Sequence, residues 1–278
     1  VGSLLYWPVR NADRDLRISD GFLVVVACWG AVCLAGSLPF LLGLDASLAD
    51  AIFESTSGIT TTGATVFSNL NEMPISILWY RQQLQWMGGL GIIVLAVAIL
   101  PMLRVGGMQV YKAEATGPMK ENRLTPKIAE TAKALWTIYI ALTLICAAAY
   151  WAAGMSAFDA LMHSFSTIAT AGFSTHDASI GYYNSSLIEW LVIVFVFIAS
   201  LNFALHFLAL RRASMQVYLK DPELKLFALL VLLISILVTV LLWRQDVYGT
   251  FWESLRSATF HTVSYITTTG FATSGVYL

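Results

Sequence analysis

The sequence predicts an all-α polytopic membrane protein, built from repeated units of spanning helix, short re-entrant helix, loop and spanning helix. Three observations support this fold class: the composition, the long apolar stretches and an internal repeat. Of the 278 residues, 58% are apolar and 12% are charged, whereas an ordinary soluble domain carries about a quarter charged residues. This composition excludes a soluble enzyme and a disordered chain. The net charge of -1 also lacks the basic excess of a nucleic-acid-binding protein.

Five stretches are long and apolar enough to cross a bilayer, whose hydrocarbon core of about 30 Å needs about 20 helical residues. Any one of them could be a buried helix of a soluble protein, but five together make that interpretation improbable. The five predicted spans cover residues 20–43, 77–101, 134–154, 187–210 and 225–243.

The basic residues predict how these spans are oriented. Three Lys or Arg residues precede the first span, six lie between the second and third, and four lie from Arg211 to Lys225. Segments 43–76 and 154–189 contain none. Because basic residues accumulate on the cytoplasmic side of membrane proteins, the N-terminus and the connections 102–133 and 211–224 are predicted to be cytoplasmic. The two segments without basic residues are predicted to lie outside.

Three shorter runs of mixed polarity follow the first, third and fifth spans. They cover residues 47–58, 155–167 and 249–264. Runs of about 10–14 residues are too short to cross a bilayer and indicate re-entrant segments. Each is followed by a stretch rich in Thr, Ser and Ala that ends in one glycine. These glycines are Gly63, Gly172 and Gly270.

The stretches before the three glycines form an internal repeat. Each has Ala at twelve, Ser at six, Ile at four and Thr at two positions before the glycine. Chance similarity between apolar helices would match hydrophobic classes and not hydroxyl residues at fixed offsets. Four such units are needed to close a pore around an axis, and we expect a fourth to be missing from this truncated chain. The predicted organisation is a cytoplasmic segment at 1–19, complete pore-loop units at 20–101 and 134–210, a partial unit at 225–278, and cytoplasmic connections at 102–133 and 211–224.

The stretch around each glycine has the properties of a cation filter. Non-helical backbone at membrane depth must be buried by protein or line an aqueous cavity. A short helix that enters from outside points its C-terminus, which carries about half a negative charge, at the bilayer centre. Glycine then allows the following carbonyl groups to turn inward, where a ring of carbonyls can replace the water around an ion. The alternative for each glycine is a turn in an external loop. The candidate ion-binding residues are Thr60, Thr61, Thr62, Gly63, Ala169, Thr170, Ala171, Gly172, Thr267, Thr268, Thr269 and Gly270.

Four segments of this sequence resemble the TrkH-like potassium uptake proteins of the Trk/Ktr/HKT superfamily. They are Ser57–Thr65, Trp86–Gly91, Thr167–Thr175 and Thr267–Thr273. The resemblance implies a potassium pathway on a pseudo-fourfold axis, with K⁺ as the transported ion and no covalent cofactor. It also implies a homodimer in the bacterial inner membrane and a cytosolic nucleotide-binding regulatory subunit of the TrkA type. The K⁺ ligands are then expected to be the backbone oxygens of Thr61, Thr62, Thr170, Ala171, Thr268 and Thr269.

Other functions remain open at the level of sequence. A K⁺ symporter coupled to H⁺ or Na⁺ would share the same pathway. A membrane receptor or scaffold would leave the aligned Thr and Gly residues unexplained. An intramembrane enzyme could use His163, His261 or Asp159, but no nucleophile–base spacing supports one, so we expect no enzymatic activity.

Several polar residues outside the loops have more ordinary predicted roles. Arg81 is predicted to anchor the outer end of its helix by extending to the membrane surface, and Glu54 to belong to an acidic outer rim. His163 and His261 are predicted to form hydrogen bonds within the re-entrant helices. Asn202 and His206 are predicted to form hydrogen bonds between helices or to line the cytoplasmic vestibule.

Overall fold

The computed structural model describes residues 18–94 and 124–273. Within these ranges the chain forms α-helices and two short 3₁₀ helices, at Leu70–Glu72 and Ser179–Tyr183, and no β-strand. Residues 1–17 of the predicted segment 1–19, residues 102–123 of the predicted connection 102–133 and residues 274–278 of the predicted partial unit lie outside the described residues. The α-helices are α1 Ile18–Gly36, α2 Leu38–Gly43, α3 Leu48–Ile59, α4 Ile75–Val94, α5 Leu124–Ala152, α6 Ala157–Ile168, α7 Ser186–Ala199, α8 Phe203–Arg212, α9 Gln216–Lys220, α10 Pro222–Arg244 and α11 Phe251–Ile266.

The long helices occupy the predicted spans. Among the described residues, three helical stretches are long and apolar enough to cross a membrane, namely Val25–Gly43, Ala132–Ala152 and Pro222–Arg244. Helices α7 and α8 pass the same test only as a bent pair. The second predicted span begins in α4, and its last part, 95–101, lies outside the described residues.

Helix α10 has the burial pattern of a helix that faces lipid. Its buried residues are Val231, Ser235 and Thr239, which lie four residues apart and form one stripe. Large apolar side chains such as Leu226 and Leu237 are exposed on its other faces. A soluble amphipathic helix buries its leucines and exposes its hydroxyl groups. The reversed arrangement is typical of a membrane helix, where small and polar residues pack against protein.

The prediction that residues 187–210 form one continuous span is wrong. Helix α7 ends at Ala199, α8 begins at Phe203, and the two axes are bent by 85°. Asn202 causes the new start, because its side chain accepts a hydrogen bond from the backbone N–H of Ala204 at 3.0 Å and so caps α8. Asn202 is therefore a helix cap and not an interhelical donor. His206 does bridge the bend, with Nε2 3.1 Å from the carbonyl oxygen of Ile198.

The three short helices α3, α6 and α11 begin with the same capping pattern. The N-cap residues are Ser47, Ser156 and Thr250, and each hydroxyl accepts a hydrogen bond from the backbone N–H three residues later. That third residue is acidic in every case, which also suits the positive end of the helix dipole. This shared start explains why three sequences with few identical residues form helices at equivalent positions.

Helix α4 passes between the C-terminal ends of α3 and α6. A Cβ atom on Gly88 would collide with the carbonyl oxygen of Ile59, the last residue of α3. A Cβ atom on Gly89 would lie 3.0 Å from Cβ of Ala169, just beyond α6. The Gly-rich motif of α4 thus permits close packing of this helix against both ends. It also brings α4, from the first predicted unit, against the loop of the second.

Candidate functional site

Each of the three short helices ends in the same hydrogen-bonding arrangement. At the end of α3, the N–H of Thr61 donates to the carbonyl of Gly58 at 3.1 Å, and the N–H of Thr62 donates to Ser57 at 2.9 Å. This pair of bonds defines a Schellman motif, in which the residue after the C-cap adopts the left-handed conformation. The same bonds end α6 and α11, where the donors are Thr170 and Ala171, and Thr268 and Thr269.

The backbone after each helix has two left-handed residues, a threonine and the glycine two positions later. A β-branched residue with positive φ is an outlier, and such strain is concentrated at functional sites. The repeat predicted special backbone angles at the glycines alone and missed those at the threonines. The φ angles are 56°, 49° and 58° at Thr61, Thr170 and Thr268, and 77°, 89° and 83° at Gly63, Gly172 and Gly270.

This backbone suits cation binding. The residue between each threonine and glycine keeps a negative φ, so the sign of φ alternates along the loop. Such alternation aligns successive peptide N–H groups on one side of the chain and therefore the carbonyl groups on the other. A row of carbonyl oxygens on one side can replace part of the water shell of a metal cation.

The three loops contact one another in order. We name them loop 1, loop 2 and loop 3 after Gly63, Gly172 and Gly270. A Cβ atom on Gly63 would collide with the carbonyl oxygen of Ala171, and one on Gly172 with that of Thr269. No described atom lies within 4 Å of the corresponding point on Gly270. Each glycine of the first two loops thus faces the carbonyl just before the next glycine, and loop 3 has an open side.

A cavity of about 350 Å³ lies where the short helices end. The C-terminus of each helix carries about half a negative charge, and three such ends converge on this cavity. Its wall therefore favours a cation over an anion. The bend between α7 and α8 supplies part of the wall. The lining residues include Thr61, Ile168, Ala169, Thr170, Ile266 and Thr267 from the loops and helix ends, and Ala199, Ser200 and Phe203 from the bend.

Pairs of threonine hydroxyls brace loops 1 and 3, whereas in loop 2 a single hydroxyl, that of Thr170, donates to the adjacent carbonyl of Ala169 at 2.8 Å. In loop 1, Thr60 Oγ1 donates to the carbonyl of Thr56 at 2.7 Å and lies 2.7 Å from Thr62 Oγ1. Because Thr60 has only one hydroxyl proton, Thr62 must be the donor between the two side chains. Thr267 and Thr269 repeat the arrangement in loop 3. Loop 2 has alanine at both equivalent positions and lacks this brace.

Helix α4 holds loop 2 instead. The side-chain amide of Gln85 donates to the carbonyl of Ala171 at 3.1 Å and accepts from the N–H of Phe173 at 3.2 Å. Gln85 is fully buried. It was not among the residues predicted from the sequence, because a glutamine within an apolar helix has no motif of its own.

Arg81 does not reach the membrane surface, and Glu54 is not part of an outer rim. Both side chains are fully buried, with Arg81 Nη2 2.6 Å from Glu54 Oε1. Thr65 Oγ1, beyond loop 1, accepts from Arg81 at 3.0 Å. The guanidinium carbon also lies 4.3 Å from the ring centroid of Phe173, beyond loop 2. The two predictions fail because the charges neutralise each other inside the protein, which sequence position alone could not indicate.

The three titratable residues of the alternative enzyme hypothesis, His163, His261 and Asp159, form hydrogen bonds within the fold. As predicted, His163 and His261 bond within their helices, each with Nδ1 2.9 Å from the carbonyl oxygen four residues earlier. Asp159 accepts hydrogen bonds from Ser156 and Thr175. Partial burial acts to raise the pKa of Asp159, but hydrogen bonds from His176, Thr175 and Ser156 outweigh it and hold that pKa below its ordinary value.

The sequence and the fold both match one family of membrane transport proteins. The profile of the TrkH family, described as cation transport protein, matches residues 1–274. The chain belongs to the TrkH family. It is 50% identical over 278 residues to the Trk system potassium uptake protein TrkH of Salmonella typhimurium. It is 52% identical over 274 residues to the protein of the same name from Halomonas elongata.

A solved TrkH structure has the same fold. The crystal structure of the potassium transporter TrkH from Vibrio parahaemolyticus matches with a TM-score of 0.87 and 48% sequence identity. This match covers 99% of the chain and 56% of the transporter. The two TrkH relatives above are matched over 99% and 98% of this chain but over 58% and 57% of their own lengths. The chain thus spans somewhat more than half of these proteins, and its all-α membrane fold is confirmed.

Proposed function

We propose that this chain forms most of a pore that carries K⁺ across the membrane. The observation that carries the proposal is the contact between the three loops, in which Gly63 and Gly172 each face the carbonyl that precedes the next glycine. A dehydrated monovalent cation would bind the backbone oxygens predicted from the sequence. The names of the Salmonella and Halomonas relatives, which are potassium uptake proteins, support K⁺ as the ion.

A fourth loop belongs on the open side of Gly270. Loops 1 and 2 each have a neighbour against the glycine, whereas the described residues leave that position empty in loop 3. One more copy of the same relation would complete a ring of four. The greater length of the relatives is consistent with a further unit. On this proposal the pore-loop units are 20–101, 134–210 and the partial unit 225–278.

The pathway is channel-like and driven by the membrane potential, which supplies about 2.3 kcal/mol per elementary charge at 100 mV. Proton coupling needs a carboxylate that can titrate in the pathway. Among the described residues, the carboxylate of Glu54 is neutralised by Arg81, and that of Asp159 accepts hydrogen bonds from the hydroxyl groups of Ser156 and Thr175. A symporter is the second candidate. Uptake against a K⁺ gradient at zero membrane potential would establish coupling and contradict a passive pore.

The setting of the pore is also a proposal. We infer a homodimer in the bacterial inner membrane, regulated by a cytosolic nucleotide-binding subunit of the TrkA type. The name of the relatives, the Trk system, supports association with other components. The basic residues support a cytoplasmic N-terminus, and Arg211 and Arg212 at the end of α8 support a cytoplasmic position for that end.

Replacement of the loop glycines tests the proposed function. The complete gene product that carries this sequence is expressed in cells that lack other K⁺ uptake systems, and Rb⁺ uptake is measured. In Gly63→Ala, the added Cβ collides with the carbonyl oxygen of Ala171 and forces a left-handed alanine, which costs about 1 kcal/mol or more. We expect Rb⁺ uptake or its preference over Na⁺ to fall at least tenfold.

Gly154→Ala is the matched control. Gly154 also has a positive φ, of 108°, but no described atom lies within 4 Å of an added Cβ, and it lies outside the loops. This variant also forces a positive φ on an alanine but without the collision, so its Rb⁺ uptake per inserted protein should remain near the wild-type value. Equal losses in both variants, or a wild-type protein that transports no Rb⁺, would contradict the proposed pore.

A further inference from the structure

We propose that Gln85 is the positioning residue for the second filter loop and a determinant of K⁺ selectivity. This inference rests on the proposed function, because it assigns a role within the same ion pathway. Gln85 lies on α4, in the first predicted unit, and contacts a loop that belongs to the second. It is separate from the loop residues that the sequence repeat identifies.

The side-chain amide of Gln85 forms hydrogen bonds with loop 2 on both sides of Gly172. One bond reaches the carbonyl of Ala171, the residue before Gly172, and the other reaches the N–H of Phe173, the residue after it. These two atoms belong to the two peptide groups that flank Gly172. Since glycine tolerates many backbone conformations, those peptide groups are free to rotate unless something holds them. Two bonds from one buried side chain fix both orientations at once.

The carbonyl oxygen that accepts from Gln85 lies where loop 1 and loop 2 contact each other. It is the same Ala171 oxygen that faces Gly63 of loop 1, and it is a candidate ion ligand. A carbonyl oxygen has two lone pairs, so it can accept from Gln85 and still coordinate a cation. If the peptide group rotated, its N–H would take the place of the oxygen, and the ring would present a repelling dipole to the ion.

Loop 2 depends on these bonds from α4 because it lacks the pair of threonine hydroxyls found in the other two loops. Loops 1 and 3 are braced by paired threonine hydroxyls, 2.7 Å apart in both. Loop 2 has Ala169 and Ala171 at those positions, and Ala169 packs against Gly89 of α4, whose added Cβ would lie 3.0 Å away. The close approach of α4 thus leaves no room for threonine at position 169, and the same helix places Gln85 beside loop 2. Hydrogen bonds from α4 therefore support loop 2 in place of a hydroxyl pair.

A single face of α4 follows loop 2 along its length. Arg81, Gln85 and Gly89 are spaced four residues apart and so lie on one face of the helix. Arg81 Nη1 donates to the carbonyl of Ser174 at 3.3 Å, Gln85 holds the two peptide groups around Gly172, and Gly89 contacts Ala169. Of these three positions, only Gln85 bonds to a carbonyl in the predicted ion pathway.

Two substitutions of Gln85 test the inference in the complete gene product that carries this sequence. Gln85→Leu has a similar volume and removes both hydrogen bonds. Gln85→Glu keeps an acceptor for the N–H of Phe173 and, with uptake measured at alkaline pH so that its carboxyl group is ionised, opposes the Ala171 oxygen with a carboxylate oxygen. Uptake of Rb⁺ is measured over a range of concentrations with and without Na⁺, and is divided by the amount of protein in the membrane.

We expect Gln85→Leu to raise the KM for Rb⁺ and to lower the preference for Rb⁺ over Na⁺ by about tenfold, the scale of one or two lost hydrogen bonds. Gln85→Glu should lower the preference further, because it adds repulsion at the ligand oxygen. The control is Gln83→Leu, which removes an amide from the same helix. That amide accepts from Trp79 at 3.1 Å, one turn earlier on the same helix, and forms no hydrogen bond with the described residues of the three loops, so KM and selectivity should stay at wild-type values.

The outcomes separate this inference from the proposed function. A wild-type protein without Rb⁺ uptake contradicts the pore itself. Wild-type uptake together with unchanged ion preference in Gln85→Leu and Gln85→Glu overturns the role of Gln85 alone. If Gln85→Leu does not reach the membrane, Gln85→Glu decides the matter, because it has the shape of glutamine and keeps one bond. A loss of protein amount in either variant with unchanged KM and preference would indicate a purely structural residue and overturn the inference.

Discussion

At the scale of single residues, the interior holds several groups around the loops in unusual states. The left-handed threonines are strained, and the Arg81–Glu54 pair places two charges where neither contacts water. Burial of a charge is tolerable only when a partner and hydrogen bonds compensate it. Thr65 and the backbone N–H of Val66 supply further bonds to Glu54. The ion pair thereby ties the segment after loop 1 to α4.

Breaking this pair should strongly destabilise the protein. We expect Arg81→Met to reduce the free energy of unfolding by about 3–5 kcal/mol, because it leaves the carboxylate of Glu54 buried without a partner. The double variant Arg81→Met with Glu54→Leu should recover part of the loss. Thermal unfolding of the purified protein in detergent measures both effects.

The second ion pair provides the comparison. Arg256 Nε lies 2.8 Å from Glu189 Oε2, and the two side chains are 27% and 12% exposed. Because this pair is less completely buried, Arg256→Met should cost less than Arg81→Met, about 1–2 kcal/mol. A loss as large as that of Arg81→Met would contradict the argument that burial makes the difference.

At the scale of helices, the break in the fourth span determines the shape of the cavity. Ser200 and Phe203 at the bend line the cavity together with the loop residues. A continuous helix through 187–210 would replace this wall with a straight rod. The cap formed by Asn202 and the bond from His206 to Ile198 hold the bend from its two sides.

Replacing the cap should weaken the bend. Asn202→Leu removes the side-chain oxygen that accepts from Ala204 and substitutes a good helix former, a change of about 1 kcal/mol in favour of a continuous helix. Spin labels at the exposed positions Val194 and Leu210 report on the angle between α7 and α8. Their distance distribution should gain a longer component in Asn202→Leu. An unchanged distribution would mean that packing alone maintains the bend.

At the scale of the whole molecule, the repeated units interlock. Helix α4 of the first unit supports loop 2, and Ser179 of the second unit accepts a hydrogen bond from the N–H of Ala272, beyond loop 3, at 3.2 Å. Support therefore passes from each unit to the next in the same order as the loop contacts. Large exposed apolar side chains cover the outer faces of the long helices, as lipid contact requires.

The predicted orientation in the membrane can be tested at two exposed positions. Tyr182 lies in a predicted outer segment and Leu219 in the predicted cytoplasmic connection 211–224, and both side chains are largely exposed. In a cysteine-free background, an impermeant maleimide added to intact cells should label Tyr182→Cys and leave Leu219→Cys unmodified. Inside-out vesicles should give the opposite result. Labelling of Leu219→Cys in intact cells would contradict the orientation inferred from the basic residues.

Local regularities of the sequence were sufficient to predict much of this molecule. Hydropathy located the long helices, and run length located the short ones. The Ala, Ser, Ile, Thr and Gly offsets identified the three loops. Each of these properties depends on a few neighbouring residues, because helix formation, capping and turn geometry are local. The repeat also places a threonine at the residue that is left-handed at the end of each short helix. A β-branched side chain disfavours that conformation, so the Schellman motifs were not predicted.

Tertiary structure alone decided which residues surround the loops. Arg81 and Glu54 are 27 positions apart, and Gln85 and Ala171 are 86 apart. No periodicity links such positions, so the sequence left an arginine assigned to the membrane surface and a glutamine with no role. Both became interpretable when α4 was found between α3 and α6. Partners distant along the chain meet only through packing, and packing determines whether a charge is neutralised and whether a peptide group is free to turn.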